Sequence, residues 1–430
     1  MKPRVSNPGR GGRKPHPSTA GRGSRRPARG DAPQSFDQLA QAAVGEMLSL
    51  AEPADQHLRR FFAAHPAMGR ADRGRLAEMA YDILRQRRLY AQFAQSGSGP
   101  LPARLIAVHQ ARERLVTDGM APAVRLSLPD WLAERLAAAL DPAALESLGA
   151  ALLRPAPLDL RVNLLRTDPA AALAALAAEG IAAQPLAIAP LALRVEGKPG
   201  LERTAAFRDG LVEVQDAGSQ LLAHLVAPRR GQTVVDFCAG AGGKTLALAA
   251  LLRGSGQVFA CDVSAARLSR MRARLARSGA SNVQPFGIDG ERDPKLDRLA
   301  GRADAVLVDA PCSGTGTLRR NPDLKWRFDP GSLPALGASQ RAILAAAARL
   351  VRPGGALIYA TCSLLPEEND AVRRHFEHEH PGWVAESAAE SLARQSVRLP
   401  ATAEVDGALS LRTDLHGTDS FYAVRWLRPA

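Results

Sequence analysis

The C-terminal half of the sequence predicts an α/β fold with a doubly wound parallel sheet. Beyond residue 214, short apolar runs alternate with longer segments of helical periodicity, which is typical of parallel strands separated by helices. Several of these runs stop abruptly at a Gly-rich turn, at an acidic residue or at a cysteine. Open α/β sheets bind ligands beyond the carboxyl ends of their strands, so we expect the functional groups at these stops.

Length and composition point to a chain of several domains. The 430 residues allow roughly two to four of them, and an apolar content of 46% is enough for real cores. No apolar run approaches the ~20 residues of a membrane span. The four cysteines lack the spacing of a structural zinc site or a disulfide framework, which favours a reducing compartment. We therefore expect a cytoplasmic monomer with no metal ion and no membrane segment.

Residues 1–33 predict a disordered basic tail. The first 30 residues hold nine Lys and Arg residues and no acid, against a formal net charge of +13 for the whole chain. A segment so rich in Gly, Pro and Arg buries too little apolar surface to fold, but it can displace counterions from a phosphate backbone. It lacks the apolar core of a secretory signal. An Arg-rich transit peptide and a solubilising tail without a partner are the alternatives.

Two smaller domains are predicted ahead of the sheet. Residues 34–152 have helical periodicity, clearest at 76–84, and carry basic stretches, so they predict an all-α domain that could bind RNA or protein. Residues 153–213 combine short strand patterns with an Ala-rich helix that ends at Gly180, a residue suited to a helix C-cap. This second segment predicts a small α/β domain.

The large domain, residues 214–430, opens with a Gly-rich turn after its first predicted strand, 233–237. The turn does not match a dinucleotide fingerprint, which would need Gly at Thr245, or a P-loop, which would need Gly at Cys238. A tight turn of this kind still lets a nucleoside-bearing ligand approach the N-terminus of the next helix. The turn consists of Cys238, Ala239, Gly240, Ala241, Gly242, Gly243 and Lys244.

Acidic residues follow the next two predicted strands. Asp262 comes after strand 257–261, where such sheets commonly bind ribose hydroxyls, and Asp289 follows strand 282–288, where it could meet an adenine amino group. Either residue alone could be an ordinary helix cap. Their repetition at successive strand ends favours a ligand site.

Two cysteines stand just beyond two further predicted strands. The buried run 305–308 is followed by Asp309 and Cys312, and the run that starts at Gly355 ends in Cys362. If the two strands are neighbours, about 4.8 Å apart, both thiols can reach one small substrate. Two unrelated core cysteines are the alternative, because free Cys is often buried.

A basic segment with one aromatic residue follows the first of these cysteines. Its composition suits phosphates and an unstacked base. The candidate RNA-binding residues are Arg319, Arg320, Asn321, Lys325 and Trp326.

The remaining pattern completes the predicted sheet. A helix is expected over 339–351, a turn at 352–355 and a further helix over 367–380. A closing β-hairpin is expected from 409–412 to 421–426.

Together these motifs resemble the Sun/Fmu (RsmB/Nop) family of S-adenosylmethionine-dependent RNA cytosine-5 methyltransferases. The matching stretches are 236–245, 309–316, 320–326 and 359–369, with the acids at 262 and 289. The resemblance implies a Rossmann-like class I methyltransferase core, and its bacterial ribosomal RNA branch implies a NusB-like helical domain and a small RRM-like domain in front. Two departures are Gly240-Ala241 in place of the usual Ala-Pro, and Asp419-Ser-Phe-Tyr422 in place of Asp-Gly-Phe-Phe.

The resemblance also implies an activity. It implies methyl transfer to C5 of a cytosine in RNA, with small-subunit ribosomal RNA as the expected substrate and transfer RNA as the alternative. C5 is a weak nucleophile, but a thiolate that adds at C6 turns it into an enamine carbon able to accept the methyl group. A carboxyl group at N3 or N4 assists that step, and Asp309 is placed for it.

The residues alone leave open which thiol attacks. The resemblance assigns Cys362 as the nucleophile and Cys312 as the residue that promotes release. It assigns residues 238–244, Asp262, Asp289 and Asp309 to S-adenosylmethionine.

Two other classes of protein could carry a similar sequence. An inert RNA-binding ribosome-assembly factor would not need the intact Cys312, Cys362 and Asp309. A DNA cytosine-5 methyltransferase would use Cys312 as its nucleophile, and the second cysteine and the basic front of the chain argue against it.

Deleting residues 2–30 should flatten the salt dependence of RNA binding and leave the methylated position unchanged. The tail cations can contact phosphates but have no aromatic neighbours with which to read bases. On a single strand, each lost phosphate contact lowers the slope of log affinity against log salt by about 0.7. Filter binding over a salt series measures the slope, and methylation of a different cytosine by the deletion variant would contradict the prediction.

Overall fold

The computed structural model describes residues 35–430. The predicted basic tail, residues 1–33, lies outside the described residues and stays a prediction. Within the described part, no helix is both long enough and apolar enough to cross a membrane.

Residues 36–152 are helical. The periodic positions of α3 lie in the core, where Leu76, Ile83 and Leu84 are fully buried. The region begins with a capping box in which Ser35 and Gln38 satisfy each other's backbone N–H groups. Its helices are α1 (Phe36–Met47), α2 (Ala54–Ala64), α3 (Arg70–Arg85), α4 (Arg87–Phe93), α5 (Leu101–Gln110), α6 (Pro122–Arg125), α7 (Asp130–Ala139) and α8 (Pro142–Leu152).

A small antiparallel sheet follows, with strand order β2-β3-β1-β4. One face of it is covered by α9, whose Ala172 and Leu176 are fully buried. The helix is followed by Gly180 in the left-handed conformation, φ 73°, as its position after the Ala-rich run suggests. The elements are β1 (Leu158–Val162), α9 (Pro169–Ala178), β2 (Ala183–Pro185), β3 (Ala192–Val195), α10 (Ala205–Arg208) and β4 (Val212–Val214).

The large sheet has the order β11-β12-β13-β9-β8-β5-β6-β7, and β10 pairs with β13. Strands β9, β8, β5, β6 and β7 are parallel, which confirms the predicted doubly wound core. The strands are β5 (Thr233–Asp236), β6 (Gln257–Asp262), β7 (Val283–Gly287), β8 (Ala303–Asp309), β9 (Val351–Thr361), β10 (Val384–Glu386), β11 (Glu404–Val405), β12 (Ala408–Leu411) and β13 (Phe421–Leu427). The helices are α11 (Ala217–Leu225), α12 (Gly243–Leu251), α13 (Ala265–Ser278), α14 (Leu324–Arg327), α15 (Leu333–Ala348), α16 (Asp370–Glu379), α17 (Ala388–Ala393) and α18 (Thr413–His416).

The start of β9 differs from the sequence prediction. The helix predicted to reach residue 351 ends at Ala348, and the strand begins at Val351, before the predicted turn. Val351 is fully buried and pairs with Ala303, and regular pairing resumes at Ala305 and Ala356 after a register shift. The Pro- and Gly-rich residues therefore form an irregularity within the strand.

A charged seam, made of Asp216, Arg319, Arg320 and Asp419, holds the loop after β8 against the start of α11 and the segment before β13. Arg319 Nε lies 3.1 Å from Asp419 Oδ1, and Arg320 Nη2 lies 2.7 Å from Asp216 Oδ2. Arg320 Nη1 also donates to the carbonyl of Pro157, 3.0 Å away, at the entrance to the small sheet. Both carboxylates are buried.

The helical region docks on the same loop through backbone carbonyls at the end of α3. Lys325 Nζ lies 2.9 Å from the carbonyl oxygen of Arg85, and Trp326 Nε1 lies 2.7 Å from that of Leu84. In return, Arg85 Nη2 donates to the carbonyl of Arg319 at 3.1 Å. The three parts of the chain thus meet around the segment 319–326.

Replacing Asp419 with Ala should lower the free energy of unfolding by about 3–5 kcal/mol, because it leaves the buried Arg319 and the partly buried Arg320 without their shared carboxylate. Asp55→Ala is the matched control, since its ion pair with Arg59 is exposed and worth less than about 1 kcal/mol. Urea unfolding of both variants measures the difference. Equal losses would contradict a structural role for the charged seam.

Candidate active site

The Gly-rich turn joins β5 to α12, and two of its glycines have left-handed backbone conformations. Gly242 has φ 87°, and a Cβ there would lie 2.6 Å from Met271 Cγ, so only Gly fits. Gly240 has φ 56°, and a Cβ there would meet nothing within 4 Å. The departure from the family's usual Ala-Pro thus puts Gly at a left-handed position beside open space. Arg274 Nη1 supports the turn by donating to the carbonyl of Ala241 at 2.8 Å.

The thiol of Cys238 lies at the start of this turn. Burial, and then the neighbouring Asp309, Asp236 and Asp262, raise its pKa well above the ordinary value. Cys238 therefore keeps its proton. It is part of the Gly-rich turn but does not supply a thiolate.

The two predicted acids lie beside the turn in contrasting environments. The carboxylate of Asp262 accepts hydrogen bonds from the N–H groups of Gly240, at 2.8 Å, and Ser264, at 2.7 Å. Asp289 is open, with 92% of its side chain exposed. Val263, which follows Asp262 in the chain, is an apolar side chain that is 69% exposed. A buried acid, an exposed apolar side chain and an open acid suit a ribose and a purine ring.

Lys244 and Asp309 form an ion pair behind this site. Their Nζ and Oδ2 atoms lie 2.6 Å apart, and the lysine is largely buried. Burial lowers the pKa of Lys244. The charge of Asp309, the hydrogen bond to Asp309 and the charge of Cys362 together raise it by more, so that the pKa of Lys244 lies above its ordinary value. The lysine therefore remains a cation beside both the carboxylate and a thiol.

The two predicted thiols are in contact. Strands β8 and β9 are neighbours, with Asp309 opposite Ala360, and the Sγ atoms of Cys312 and Cys362 lie 3.3 Å apart. The hydrogen bond with Cys362, then burial, the charge of Cys362 and the charge of Glu368 raise the pKa of Cys312 well above the ordinary value. Cys312 therefore holds its proton next to the other sulfur.

Most of the predicted RNA-binding segment is not available to RNA, and this expectation is corrected. Arg319 lies buried in the charged seam, Arg320 is bound there as well, and Lys325 is only 2% exposed. Burial, together with the nearby Arg85, lowers the pKa of Lys325 to about 7. Its partners were hidden from sequence reasoning because they come from distant parts of the chain.

Two residues of that segment remain. Trp326 is half-buried and is fixed by its hydrogen bond to the end of α3. Asn321 is exposed, and its amide donates to Thr317 Oγ1 at 3.2 Å. Of the five predicted residues, Asn321 alone keeps an exposed side chain within the described part of the chain.

Sequence reasoning missed Glu368. It was placed inside a helix predicted over 367–380, but α16 begins at Asp370 and Glu368 is fully buried between the two cysteine loops. A buried acid two residues before a helix leaves no periodic signal. Its carboxylate accepts hydrogen bonds from Ser313 and Ser363.

The second departure from the family pattern is accommodated at the end of the site. Ser420 Oγ accepts a hydrogen bond from the N–H of Thr413 at 3.0 Å, and Tyr422 donates its hydroxyl to Asp370 Oδ1 at 2.8 Å. The added hydroxyls therefore find partners, and neither one displaces a reacting group.

Comparison with known families assigns the chain. Residues 223–426 match the model for 16S rRNA methyltransferase RsmB/F, and residues 128–201 match the ferredoxin-like domain of the same proteins. A probable ribosomal RNA small subunit methyltransferase B of Synechocystis sp. is 33% identical over 317 residues, covering 74% of this chain and 70% of that protein. The chain belongs to the RsmB/F methyltransferase family.

Other relatives agree with this membership. The ribosomal RNA small subunit methyltransferase B of Sodalis glossinidius is 38% identical over 293 residues, covering 68% of this chain and 67% of that protein. A methyltransferase homologue from Pyrococcus horikoshii, known from a crystal structure, is 27% identical with a TM-score of 0.61, covering 73% of this chain and all of that one. Both the resemblance to this family and the predicted fold class are confirmed.

Membership in this family makes S-adenosylmethionine the cofactor of the chain, as predicted. The residues present fit it. The turn has open space at Gly240. The next two strands end in acidic residues, the buried Asp262 and the exposed Asp289.

Replacing Asp262 with Ala should weaken S-adenosylmethionine binding by about tenfold or more. The substitution removes the carboxylate that we expect to accept a hydrogen bond from the ribose of the cofactor, and it removes the acceptor of the Gly240 N–H. Isothermal titration calorimetry measures the affinity. Asp297→Ala, which removes an exposed acid elsewhere in the same domain, is the control. An unchanged affinity for Asp262→Ala would remove that residue from the cofactor site.

Proposed function

We propose that this chain transfers the methyl group of S-adenosylmethionine to C5 of a cytosine in RNA, with Cys362 as the nucleophile and Cys312 as the release residue. The observation that carries the proposal is the contact between the two sulfurs, 3.3 Å apart, beside the pair formed by Lys244 and Asp309. A single methyl transfer to a more reactive atom would need neither thiol.

The environment of the thiols supports this division of roles. Lys244 stays cationic, and the charge of Cys362 is one of the causes that raise its pKa. Cys312 keeps its proton because its pKa is raised. The sulfur proposed to attack is thus the one whose charge interacts with the Lys244 cation, and the sulfur that keeps its proton lies within hydrogen-bond distance of it.

The reaction then follows in balanced steps. The Cys362 thiolate forms a bond to C6, and the electrons of the C5–C6 double bond move toward the ring carbonyl and N3. Asp309, whose carboxylate pairs with Lys244, accepts a hydrogen bond from the N4 amino group of the cytosine, or in its protonated form donates one to N3. When bound, S-adenosylmethionine would supply an electrophilic methyl group; C5 would bond to it as the methyl–sulfur bond breaks, and the sulfonium would leave as the neutral thioether S-adenosylhomocysteine.

Release restores the aromatic ring. The C5 proton passes to a base or to water, the C5–C6 double bond reforms and the bond from C6 to the Cys362 sulfur breaks. Cys312, 3.3 Å from that sulfur, keeps its proton and donates a hydrogen bond to the leaving thiolate, which eases the elimination.

We propose small-subunit ribosomal RNA as the substrate, because the relatives from Synechocystis and Sodalis carry that substrate in their names. The target cytosine must be single-stranded or flipped out of its helix to reach two sulfurs at a strand end, at a cost of a few kcal/mol. Transfer RNA is the alternative substrate.

The two thiol variants should fail differently. Cys362→Ala should be inactive and form no covalent complex, because no bond to C6 can form. Cys312→Ala should trap a methylated protein–RNA adduct that survives denaturation, because attack and transfer proceed while elimination is slowed. A denaturing gel with radiolabelled cofactor and small-subunit RNA detects the shifted band.

The controls separate the rival classes of protein. Cys261→Ala, which alters a fully buried thiol of the core, should turn over without a trapped band. An adduct from Cys362→Ala and none from Cys312→Ala would indicate the DNA-type order of roles. An inert assembly factor would give no adduct with any variant.

A further inference from the structure

A fully buried carboxylate, that of Glu368, lies between the loops that carry the two thiols. It accepts hydrogen bonds from the N–H of Ser313 at 2.8 Å and from Gln340 Nε2 at 3.0 Å. The hydroxyls of Ser313 and Ser363 both donate to its other oxygen. One side chain therefore collects four hydrogen bonds from three elements.

The donors around Glu368 are neutral. Within residues 35–430, no Lys, Arg or His forms an ion pair with it, so polar N–H and O–H groups alone hold the carboxylate. The neighbouring bonds orient the hydroxyl protons toward it, because Ser363 Oγ already accepts from the N–H of Leu365 at 3.0 Å. Thr315 Oγ1 likewise accepts from the N–H of Leu364 at 2.8 Å and can donate to Ser313 Oγ. The network is complete with an ionised carboxylate.

The contacts favour the Cys312 loop over the Cys362 loop. Ser313, next to Cys312, donates both its N–H and its hydroxyl to Glu368. Gln340 Nε2 also donates to the carbonyl of Pro311 at 2.9 Å. Ser363, next to Cys362, gives only its hydroxyl. Loss of the carboxylate should therefore loosen Cys312 first.

The Cys362 loop has supports of its own. Asn369 Nδ2 donates to the carbonyl of Ser363 at 3.0 Å, and Thr361 Oγ1 donates to Asn369 Oδ1 at 2.6 Å. The N–H of Gly316 holds the carbonyl of Cys362 at 2.9 Å. None of these contacts passes through Glu368.

Charge acts in the same direction as geometry. The negative charge of Glu368 adds to the other causes that raise the pKa of Cys312, while the Lys244 ammonium is coupled to Cys362.

We infer that Glu368 is a positioning residue that fixes the Cys312 loop against Cys362 and thereby speeds elimination of the methylated product. The inference rests on the proposed function and adds a residue that acts through Cys312 without touching the substrate. It predicts a defect confined to release, which a residue needed only for stability would not give.

The test is Glu368→Gln, which keeps the size of the side chain but removes the charge and places an amide N–H₂ against donors. With both cysteines present, the methylated adduct should accumulate at least about tenfold above the wild-type level during turnover. The burst of adduct formation should stay within about threefold of wild type and the cofactor affinity within about twofold. Glu367→Gln is the matched control, because the carboxylate of Glu367 is next in the chain, is half exposed and pairs with Arg135.

Each outcome decides one point. Wild-type turnover by Glu368→Gln without adduct, or parallel losses of cofactor affinity, attack and release, would overturn the inference. If Glu368→Gln does not fold, Ser313→Ala removes one of the same contacts and should give a smaller accumulation of adduct in the same assay. Cys312→Ala, run in the same assay, separates the two proposals. If Cys312→Ala gives no adduct, the proposed function fails. If Cys312→Ala gives an adduct but Glu368→Gln and Ser313→Ala give none, only the role of Glu368 fails.

Discussion

The parallel pairing of β8 with β9 is the constraint on which the rest of the site depends. It sets Asp309 opposite Ala360, so that the loops with Cys312 and Cys362 leave the sheet side by side. Strand β5 pairs with β8 on its other side and brings the Gly-rich turn to the same edge. A turn, an acid and two thiols therefore meet through backbone hydrogen bonds of the sheet, without a long loop to bring any of them.

Polar contacts then fix the other parts of the chain to this edge. Arg161 of β1 donates to the carbonyl of Gly243 at 2.7 Å, which ties the small sheet to the first turn of α12. The charged seam joins the loop after Cys312 to Asp216 and Asp419. Because breaking a buried ion pair costs far more than forming one gains, such contacts hold one arrangement of domains better than they add stability.

The sequence was most informative where the signal is local. An apolar run that stops at Cys312 or Cys362 reveals both a strand and its end, so the sheet and the thiols could be predicted. Lys325 could not, because its partner is a backbone carbonyl of Arg85, far away in the chain, and a basic residue looks the same beside phosphate or beside protein. Glu368 was hidden for the same reason, since its donors come from three separate elements.

The position of β13 has a consequence for how the protein is made on the ribosome. Strand β13 covers the open edge of β9, and Asp419 just before it closes the charged seam, yet both belong to the last segment synthesised among the described residues. Until they emerge, β9 presents an unpaired edge and the arginines of the seam lack a partner. Domains usually fold in the order of synthesis. Here the helical region can fold early, but the edge of β9 is covered and the charged seam is closed only after β13 has emerged from the ribosome.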